Sequence, residues 1–394
     1  MKAFLLMLAK RANLILQAIF SVLPIQKNRI VLCSSPDFYD NAWAFYNYLC
    51  KSGKGQGYQI IWLVNDISRN YSNDAIFVSK KIRQSMFRRS YYLATAAVII
   101  FTHDCPKLLT REGQLLIHTT HSASQLKAYK RHEKASEKII RGDLILRCNQ
   151  VGVDRFNIGR DLPQNRYAVI GMPRLDLLFE HEECLGKVIP QYDGNGAIVI
   201  SMETFKQSRN YMDSAEGDAY AINAITNENE ILQLNEYLRE KDIFLLVKIH
   251  PMQDLSFLDR VSLSNIIYLT DADLIKQGIQ LYQLVECCDA LLTDYSSIYY
   301  DFLFLDRPIG FMVKDMEEYQ RGFIIDDPLS EMPGDIIHEI TELEAFLEAV
   351  IKGEDKYPDA RKQLLDEVFK YQDSNNCKRL LDLLEQNSYI KRKD

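Results

Sequence analysis

The chain has 394 residues, of which 47% are hydrophobic and 26% are charged, and its formal net charge at pH 7 is −7. This length suits two domains of ordinary size, and the composition excludes a wholly disordered chain. The negative charge argues against nucleic acid as the main partner. The eight cysteines include no CxxC pair, so we interpret them as buried thiols of a reducing compartment.

Residues 1–25 form an apolar segment interrupted by charge. Its basic pair at 10 and 11 leaves blocks shorter than the roughly 18–20 apolar residues of a spanning helix, and no signal-peptide cleavage site follows. The pattern favours a helix lying in a membrane interface, with basic residues at anionic headgroups and apolar residues in the acyl boundary. The basic residues are Lys2, Lys10 and Arg11, and the apolar ones are Phe4, Leu5, Leu8, Leu14, Ile15 and Ile19. A helix packed on the body of the protein is the alternative.

From residue 28 onward, short β-branched apolar runs alternate with helix-length segments, as in βαβ units. Runs such as AAVIIF at 96–101 are apolar on both faces and indicate buried parallel strands. A charged segment with Pro190 and two glycines, between 180 and 195, is the best domain boundary. The sequence therefore predicts an α/β fold with two Rossmann-like doubly wound domains, at 26–185 and 186–394, after the helix at 1–25. The predicted strands are 29–33, 60–64, 96–101, 114–118, 144–147, 167–170, 197–201, 244–249, 266–269, 290–293 and 309–313.

Ligands of open parallel sheets bind outside the carboxyl ends of the strands, so polar motifs after predicted strands are candidate sites. The first such motif is GQLLIHTTHSASQLK at 113–127, in which a strand ends near His118 and a loop carries His121 toward Lys127. Histidine in such a loop suits general-base catalysis, because its ordinary pKa lies near neutrality. By itself, a single loop histidine is more often structural.

The second motif is VIGMPRLDLL at 169–178. Arg174 could clamp a phosphate there, or it could pair with Asp176. In isolation the ion pair is the commoner arrangement.

The third motif is LLVKIHP at 245–251, in which Lys248 and His250 share one face of a strand near its carboxyl end. Burying both is costly unless an anion or a carboxylate compensates them. The alternative to an anion site is a salt bridge, with Asp271 or Asp301 as the partner.

The fourth motif is ALLTDYSSIYYDF at 290–302, where a strand ends at Thr293 and a hydroxyl-rich turn leads into a helix. Asp294 is a natural N-cap, and Ser296 and Ser297 fall in the predicted first turn. Backbone N–H groups, two hydroxyls and the helix dipole would together favour a phosphate. The alternative is an ordinary capped helix.

Taken in order, these motifs resemble those of the CDP-glycerol glycerophosphotransferase family, the teichoic-acid primases and polymerases. The family's TDYSS…DF block corresponds to 293–302, its K-x-H-P to 248–251, its G-x-P-R-x-D to 171–176 and its R-G-F…D…P-G to 321–334. Its P-T-[FW]-[RK] element resembles Thr204 to Lys206, with Glu203 in place of the proline. Its W-H-x-x-G-x-x-K element retains His121 and Lys127 but lacks the Trp and the Gly. His118 is therefore a rival to His121.

The resemblance implies a two-domain fold of the GT-B type and an enzyme. It implies transfer of glycerol phosphate from CDP-glycerol to a hydroxyl of a lipid-linked acceptor, with release of CMP, at the cytoplasmic face of the cell membrane. Teichoic-acid or capsule synthesis would be the setting, and neither a cofactor nor a metal is implied. His121 would be the general base and His250 a second catalytic residue, with Lys127 at the acceptor or a phosphate. The donor-binding residues would be Lys248, Thr293, Asp294, Ser296, Ser297, Arg174, Thr204 and Lys206.

Three alternatives stay open at this point. The donor could be CDP-ribitol rather than CDP-glycerol. The chain could be a GT-B glycosyltransferase that uses a nucleotide sugar, because a fold does not determine a reaction. It could also be a membrane-bound scaffold that keeps the fold without catalysis.

Overall fold

The structure is a computed structural model. It describes residues 2–69, 72, 74–102, 108–120, 122–128, 142–204, 220–249, 256–314, 316–319 and 322–393. Three predicted site residues, His121, Lys206 and His250, lie outside the described residues.

Seven parallel strands of the described chain form the first sheet, in the order β3-β2-β1-β4-β5-β6-β7. The direction of strand addition reverses between β1 and β4, so the carboxyl ends of these strands form the expected switch point for ligands. The strands are β1 (Gln26–Cys33), β2 (Gln59–Val64), β3 (Ile76–Ser79), β4 (Ala96–Phe101), β5 (Leu115–His118), β6 (Leu144–Arg147) and β7 (Tyr167–Val169). The α-helices of this half are α1 (Lys2–Phe20), α2 (Asp40–Lys51), α3 (Ile82–Thr95) and α4 (Gln150–Asn157).

The second sheet has six parallel strands within the described ranges, in the order β10-β9-β8-β11-β12-β13. It repeats the strand order of the first sheet, so the prediction of two Rossmann-like doubly wound units is confirmed. The strands are β8 (Ala197–Ser201), β9 (Ile243–Lys248), β10 (Ile266–Leu269), β11 (Ala290–Thr293), β12 (Ile309–Met312) and β13 (Asp335–Ile337). The α-helices are α5 (Leu185–Val188), α6 (Glu228–Glu240), α7 (Asp271–Gln277), α8 (Leu281–Glu286), α9 (Ile298–Phe302), α10 (Ile340–Lys352), α11 (Pro358–Val368) and α12 (Asn376–Gln386).

Every predicted strand is present, with bounds that agree within three residues. Central strands such as β4 are buried along their whole length, because helices cover both faces of a parallel sheet. Strands β3 and β13, each at one edge of its sheet, are not among the predicted strands. Both are short and only partly buried, so neither carries the long apolar run that marks a central strand.

The last helix, α12, returns to the first half of the chain. It packs against α2 and against the 3₁₀ helix Pro173–Phe179. The carboxylate of Asp176 accepts the backbone N–H groups of Asn376 and Cys377, at 2.9 and 2.8 Å. Gly171 has φ of +86°, and a Cβ there would lie 1.8 Å from the Asn376 side chain, so only glycine fits this approach. The predicted domain bounds at 185 and 186 stay a prediction.

Candidate active site

The segments that follow β8 and β11 meet at the carboxyl edge of the second sheet. The two strands are parallel neighbours, so the chain leaves the sheet side by side after each. The hydroxyl of Thr293 donates to the carbonyl oxygen of Met202 at 2.7 Å. The backbone N–H and the hydroxyl of Thr204 donate to the two carboxylate oxygens of Asp294 at 3.0 and 2.9 Å. The fold therefore joins two predicted site segments that are 90 positions apart in sequence.

Lys127 reaches the same edge from the first half. Its ammonium group donates to the hydroxyl of Thr204 at 3.0 Å and lies 5.9 Å from the ring centroid of Tyr295. Its backbone forms an antiparallel bridge with Phe323, which holds the loop after β5 against the second half. Lys127, Thr204 and Asp294 thus form one hydrogen-bonded chain between the two sheets.

The turn after β11 differs from the predicted capped helix. Asp294 is fully buried, and its carboxylate accepts the backbone N–H of Ser296 at 2.8 Å, as in an Asx-turn. Helix α9 begins only at Ile298, after Ser297, which makes no capping bond through its side chain. The prediction that Asp294 caps the helix, with both serines in its first turn, is wrong, because that carboxylate binds Thr204 and the turn itself. Both serines are half-buried at the sheet edge, and donor binding by them and by Asp294 stays a prediction.

Lys248 is the last residue of β9, so it lies at the same carboxyl edge of the second sheet. Its ammonium group lies 3.1 Å from the carboxylate of Asp271 and donates to the carbonyl oxygen of Ile249 at 3.2 Å. Of the two predicted carboxylate partners, Asp271 is therefore the observed one, and Asp301 binds elsewhere. The carboxylate offsets the cost of burying this cation. A contact of Lys248 with the donor stays a prediction.

Arg174 lies buried between the two halves of the chain rather than beside Asp176. Its guanidinium donates to the carboxylate of Asp301 at 2.8 Å and to that of Asp40 at 3.3 Å. It also lies 4.9 Å from the ring centroid of Tyr282, whose hydroxyl donates to Asp301. Burial alone would lower the pKa of Arg174, but the neighbouring phenol and carboxylates raise it well above its ordinary value. The alternative pairing with Asp176 is wrong, and donor binding by Arg174 stays a prediction.

His118, the rival for the catalytic position, has an ordered environment at the end of β5. Its Nε2 lies 2.8 Å from the carbonyl oxygen of Thr102. Its ring stacks on that of Phe101, with centroids 4.8 Å apart and an angle of 3° between the planes. These contacts suit a side chain that stabilises the end of the strand.

The loop on either side of position 121 is held by a buried arginine. Arg147 ends β6, is fully buried, and donates to the carbonyl oxygens of Ser122 and Ala123 at 3.0 and 2.9 Å. Burial lowers the pKa of Arg147 to about 10. Thr120 has φ of +55°, which is rare for a β-branched residue, and its carbonyl oxygen accepts from Asn41 at 3.1 Å. Strained backbone that surrounding contacts hold in place is concentrated at functional sites, so this loop is a good candidate for one.

Sequence reasoning missed several residues that build this site. A signal existed for Arg147, because an arginine at the end of an otherwise apolar strand is costly to bury unless hydrogen-bond partners compensate its charge. No local signal existed for Arg155 on α4, which donates to the carboxylate of Glu331 at 2.7 Å and to the hydroxyl of Tyr300 at 3.2 Å. Glu331 lies 176 positions away, so only the folded chain shows this ion pair between the halves.

A separate cavity of about 630 Å³ lies at the opposite edge of the second sheet. Gly196, Asp242, Asp289 and Pro308 line it, and each directly precedes a strand. Ligands of open parallel sheets bind at the carboxyl ends, so we do not assign this cavity to the site.

Loops that follow the carboxyl ends of β1 and β5 contact the second half of the chain. The backbone N–H of Asp40 donates to Gln280 at 3.2 Å, and Lys127 binds Thr204. Two Rossmann-like units that face each other in this way define the GT-B class of fold.

Comparison with known proteins specifies the family within that class. The profile of the CDP-glycerol:poly(glycerophosphate) glycerophosphotransferase family matches residues 15–386, and the chain belongs to this family. The solved wall teichoic acid polymerase TagF, as the variant H548A, has a TM-score of 0.76 and 18% identity, over 98% of this chain and 95% of that one.

Curated relatives are similar over shorter stretches. The teichoic acid ribitol-phosphate primase of Bacillus spizizenii is 25% identical over 240 residues, which are 59% of this chain and 56% of that protein. The teichoic acid glycerol-phosphate primase of Bacillus subtilis is 31% identical over 164 residues, 41% of this chain and 38% of that protein. Neither match reaches two thirds of the relative's own length.

Proposed function

We propose that the protein transfers glycerol phosphate from CDP-glycerol to a hydroxyl of a lipid-linked acceptor and releases CMP, in teichoic-acid or capsule synthesis. The observation that carries the proposal is the hydrogen-bonded chain of Lys127, Thr204 and Asp294, which joins the loop after β5 to the carboxyl edge of the second sheet. These residues come from three separate motifs of the family, which supports the proposal that the motifs belong to one site. Membership of a transferase family supports the reaction class.

The reaction is a displacement at the β-phosphorus of the donor. The acceptor oxygen forms a bond to that phosphorus, the bond to the bridging oxygen breaks, and CMP leaves with the electron pair. Lys127 and Lys248 bring ammonium groups to the carboxyl edge of the second sheet, and Ser296 and Ser297 offer hydroxyls there, which suits stabilisation of the phosphate charge. His121 would take the acceptor proton and His250 would assist the leaving group, and these two roles rest on the family resemblance.

CDP-ribitol is the second candidate donor. One of the two relatives described above is a ribitol-phosphate primase and the other a glycerol-phosphate primase, so the comparisons support a polyol phosphate in either case.

CMP release measures the proposal directly. Purified protein and a membrane extract that supplies acceptor would be incubated separately with CDP-glycerol, CDP-ribitol and UDP-glucose. We expect CMP from CDP-glycerol alone. CMP from CDP-ribitol alone would show that the transferred group is ribitol phosphate, and release of UDP would favour the glycosyltransferase alternative. Binding of CDP-glycerol without CMP release from any donor would favour the scaffold.

We also propose that α1 and α3 lie against the cytoplasmic face of the membrane. Helix α1 packs against α3, and its polar side chains Asn13 and Gln17 are buried, whereas Ile15 and Ile19 are 62% and 56% exposed. Val22, just after the helix, is 84% exposed. The side chain of Asn13 accepts from Arg89 of α3 at 3.0 Å, and the side chain of Gln17 accepts from the backbone N–H of Leu109 at 2.8 Å. This orientation is the reverse of that expected for a helix on a water-facing surface.

The packed helix α3 also carries an exposed apolar residue, Phe87, which is 68% exposed. Lys10 and Arg11 of α1 and Arg88 of α3 are exposed cations. Two packed helices that expose both apolar and basic residues suit an anionic bilayer surface. Among the residues that the structure describes, none of the helices has the length and hydrophobicity to span a membrane.

Sedimentation with vesicles tests the membrane proposal. We expect the protein to sediment with phosphatidylglycerol vesicles and to remain in the supernatant with phosphatidylcholine vesicles. The double variant Ile15→Ser, Ile19→Ser should bind at least 10-fold more weakly, since each change removes an apolar side chain from the acyl boundary. Leu232→Ser on α6 is the matched control, because Leu232 is 39% exposed in the second half. Equal binding by the double variant and the control would contradict the proposal.

A further inference from the structure

Two cysteine thiols from distant parts of the chain meet beside the interface of the two halves. The Sγ atom of Cys184 lies 3.3 Å from the Sγ atom of Cys287, although the residues are 103 positions apart. Cys184 precedes α5, in the segment between the two sheets, and Cys287 follows α8. Both are free thiols. A disulfide has its sulfur atoms about 2.05 Å apart, so the two side chains need to move by only about 1 Å to form one.

The surrounding chain holds this pair in place. The carboxylate of Glu286 lies 2.7 Å from Nδ1 of His181, and the thiol of Cys287 donates to the carbonyl oxygen of Glu182 at 3.3 Å. The segment 181–184 therefore already lies along the end of α8. Little conformational entropy would be lost on closing a bond between the two sulfur atoms.

The two thiols differ in access and in acidity. Cys184 is 3% exposed, whereas Cys287 is partly exposed and can meet a small molecule. The hydrogen bond with Cys184 lowers the pKa of Cys287, and that same hydrogen bond together with burial raises the pKa of Cys184. The thiolate is the reactive form, so Cys287 is the thiol that reacts first.

We propose that Cys184 and Cys287 form a reversible disulfide when the surrounding thiol pool becomes oxidised, and that this bond fastens the segment between the sheets to the second half. The oxidant is a small-molecule disulfide such as oxidised glutathione. The thiolate of Cys287 attacks one of its sulfur atoms and releases one glutathione thiolate. The thiolate of Cys184 then attacks the sulfur of Cys287 and releases the second, so two cysteine protons pass to the two glutathione thiols.

The disulfide would lie next to a contact between the two halves of the chain. Helix α8 packs against the 3₁₀ helix Pro173–Phe179, and Tyr282 of α8 stacks on Arg174 there. A covalent link from the end of α8 to residue 184 would restrain these two elements against each other. It would therefore limit movement between the two sheets.

Peptide mapping of the full chain tests the proposal. The protein would be incubated with oxidised glutathione, its remaining thiols alkylated under denaturing conditions, and the peptides analysed by mass spectrometry. We expect a linked peptide pair that contains residues 184 and 287 and that dithiothreitol separates. Cys184→Ser and Cys287→Ser should each abolish it, whereas Cys288→Ser and Cys50→Ser should retain it. Full alkylation of both residues, or glutathione on Cys287 without the link, would overturn the proposal.

Thermal unfolding tests the second half of the proposal. The linked protein should unfold at a temperature about 4 °C or more above that of the reduced protein, because the bond closes a long loop of the unfolded chain. Cys287→Ser should show no such rise after the same treatment. A linked protein with an unchanged melting temperature would show that the bond forms without fastening the interface.

Discussion

The guanidinium of Arg174 and the carboxylate of Asp301 form an ion pair, 2.8 Å long, that is buried between the two halves of the chain. Arg174 belongs to the family's G-x-P-R-x-D motif and Asp301 to its TDYSS…DF motif. In the same motif as Arg174, Gly171 makes room for α12 and Asp176 caps it. We infer that this motif joins the two halves and the last helix.

Removal of one partner of this pair should destabilise the fold. Arg174→Met leaves Asp301 as a buried carboxylate without its cation, and we expect the free energy of unfolding to fall by about 3–5 kcal/mol. Urea denaturation followed by circular dichroism measures this. Arg174→Lys is the control that keeps the charge but not the planar fork, and it should lose less stability. A variant Arg174→Met of normal stability with a raised KM for CDP-glycerol would instead identify Arg174 as a donor ligand.

The sequence allowed the sheets to be predicted because their information is local. A run such as 96–101 carries its own apolar pattern, so each central strand could be placed without knowledge of its neighbours. The partners of Arg174 could not be found in this way. Asp301 and Asp40 lie 127 and 134 positions from it, and the nearer Asp176 was the natural choice by proximity alone. Ion pairs between the halves depend on topology, which local patterns do not contain.

Thr204 should fix the position of the Lys127 ammonium group, since the hydroxyl of Thr204 connects Lys127 to Asp294. Thr204→Val keeps the shape of the side chain but removes both hydrogen bonds. We expect kcat/KM for CDP-glycerol to fall about 10-fold or more, since about 10-fold corresponds to the loss of one hydrogen bond to a charged group.

Thr204→Ser is the matched control, because it retains the hydroxyl, and its kcat/KM should remain within about 3-fold of wild type. Steady-state CMP release at varied donor concentration gives both values. If Thr204→Val matched the serine variant, the hydrogen-bonded chain would have no part in turnover.

His121 and His118 can be separated by paired substitutions. His121→Ala should lower kcat by about 100-fold or more while donor binding is largely kept, which is the usual contribution of a general base. His118→Asn removes a ring that stacks on Phe101, so it should mainly lower stability, by about 1 kcal/mol. Donor titration calorimetry and CMP release distinguish binding from turnover. The reverse pattern, with kcat lost in His118→Asn and kept in His121→Ala, would make His118 the base.

Arg147 should act as a positioning residue for the loop that carries His121. It donates to the carbonyl oxygens of Ser122 and Ala123, and Thr120 on the other side of the loop is held in a strained conformation. Arg147→Lys keeps the buried charge but cannot reach several carbonyl oxygens at once. We expect kcat to fall about 10-fold with KM for the donor unchanged, because a general base displaced by about 1 Å loses much of its effect.

Arg160→Lys is the matched control for this change. The guanidinium groups of Arg160 and Arg147 both lie over the ring of Phe156, at 4.2 and 4.8 Å from its centroid, so both variants lose a similar stacking contact. Arg160→Lys should keep kcat, since the contacts of Arg160 with the chain include the carbonyl oxygen of Phe156 on α4 rather than those of the loop. Circular dichroism melts would confirm that both variants fold. A loss of kcat that is equal in the two variants, or a rise in donor KM in Arg147→Lys alone, would contradict a positioning role, because a displaced base changes turnover without changing how the donor binds.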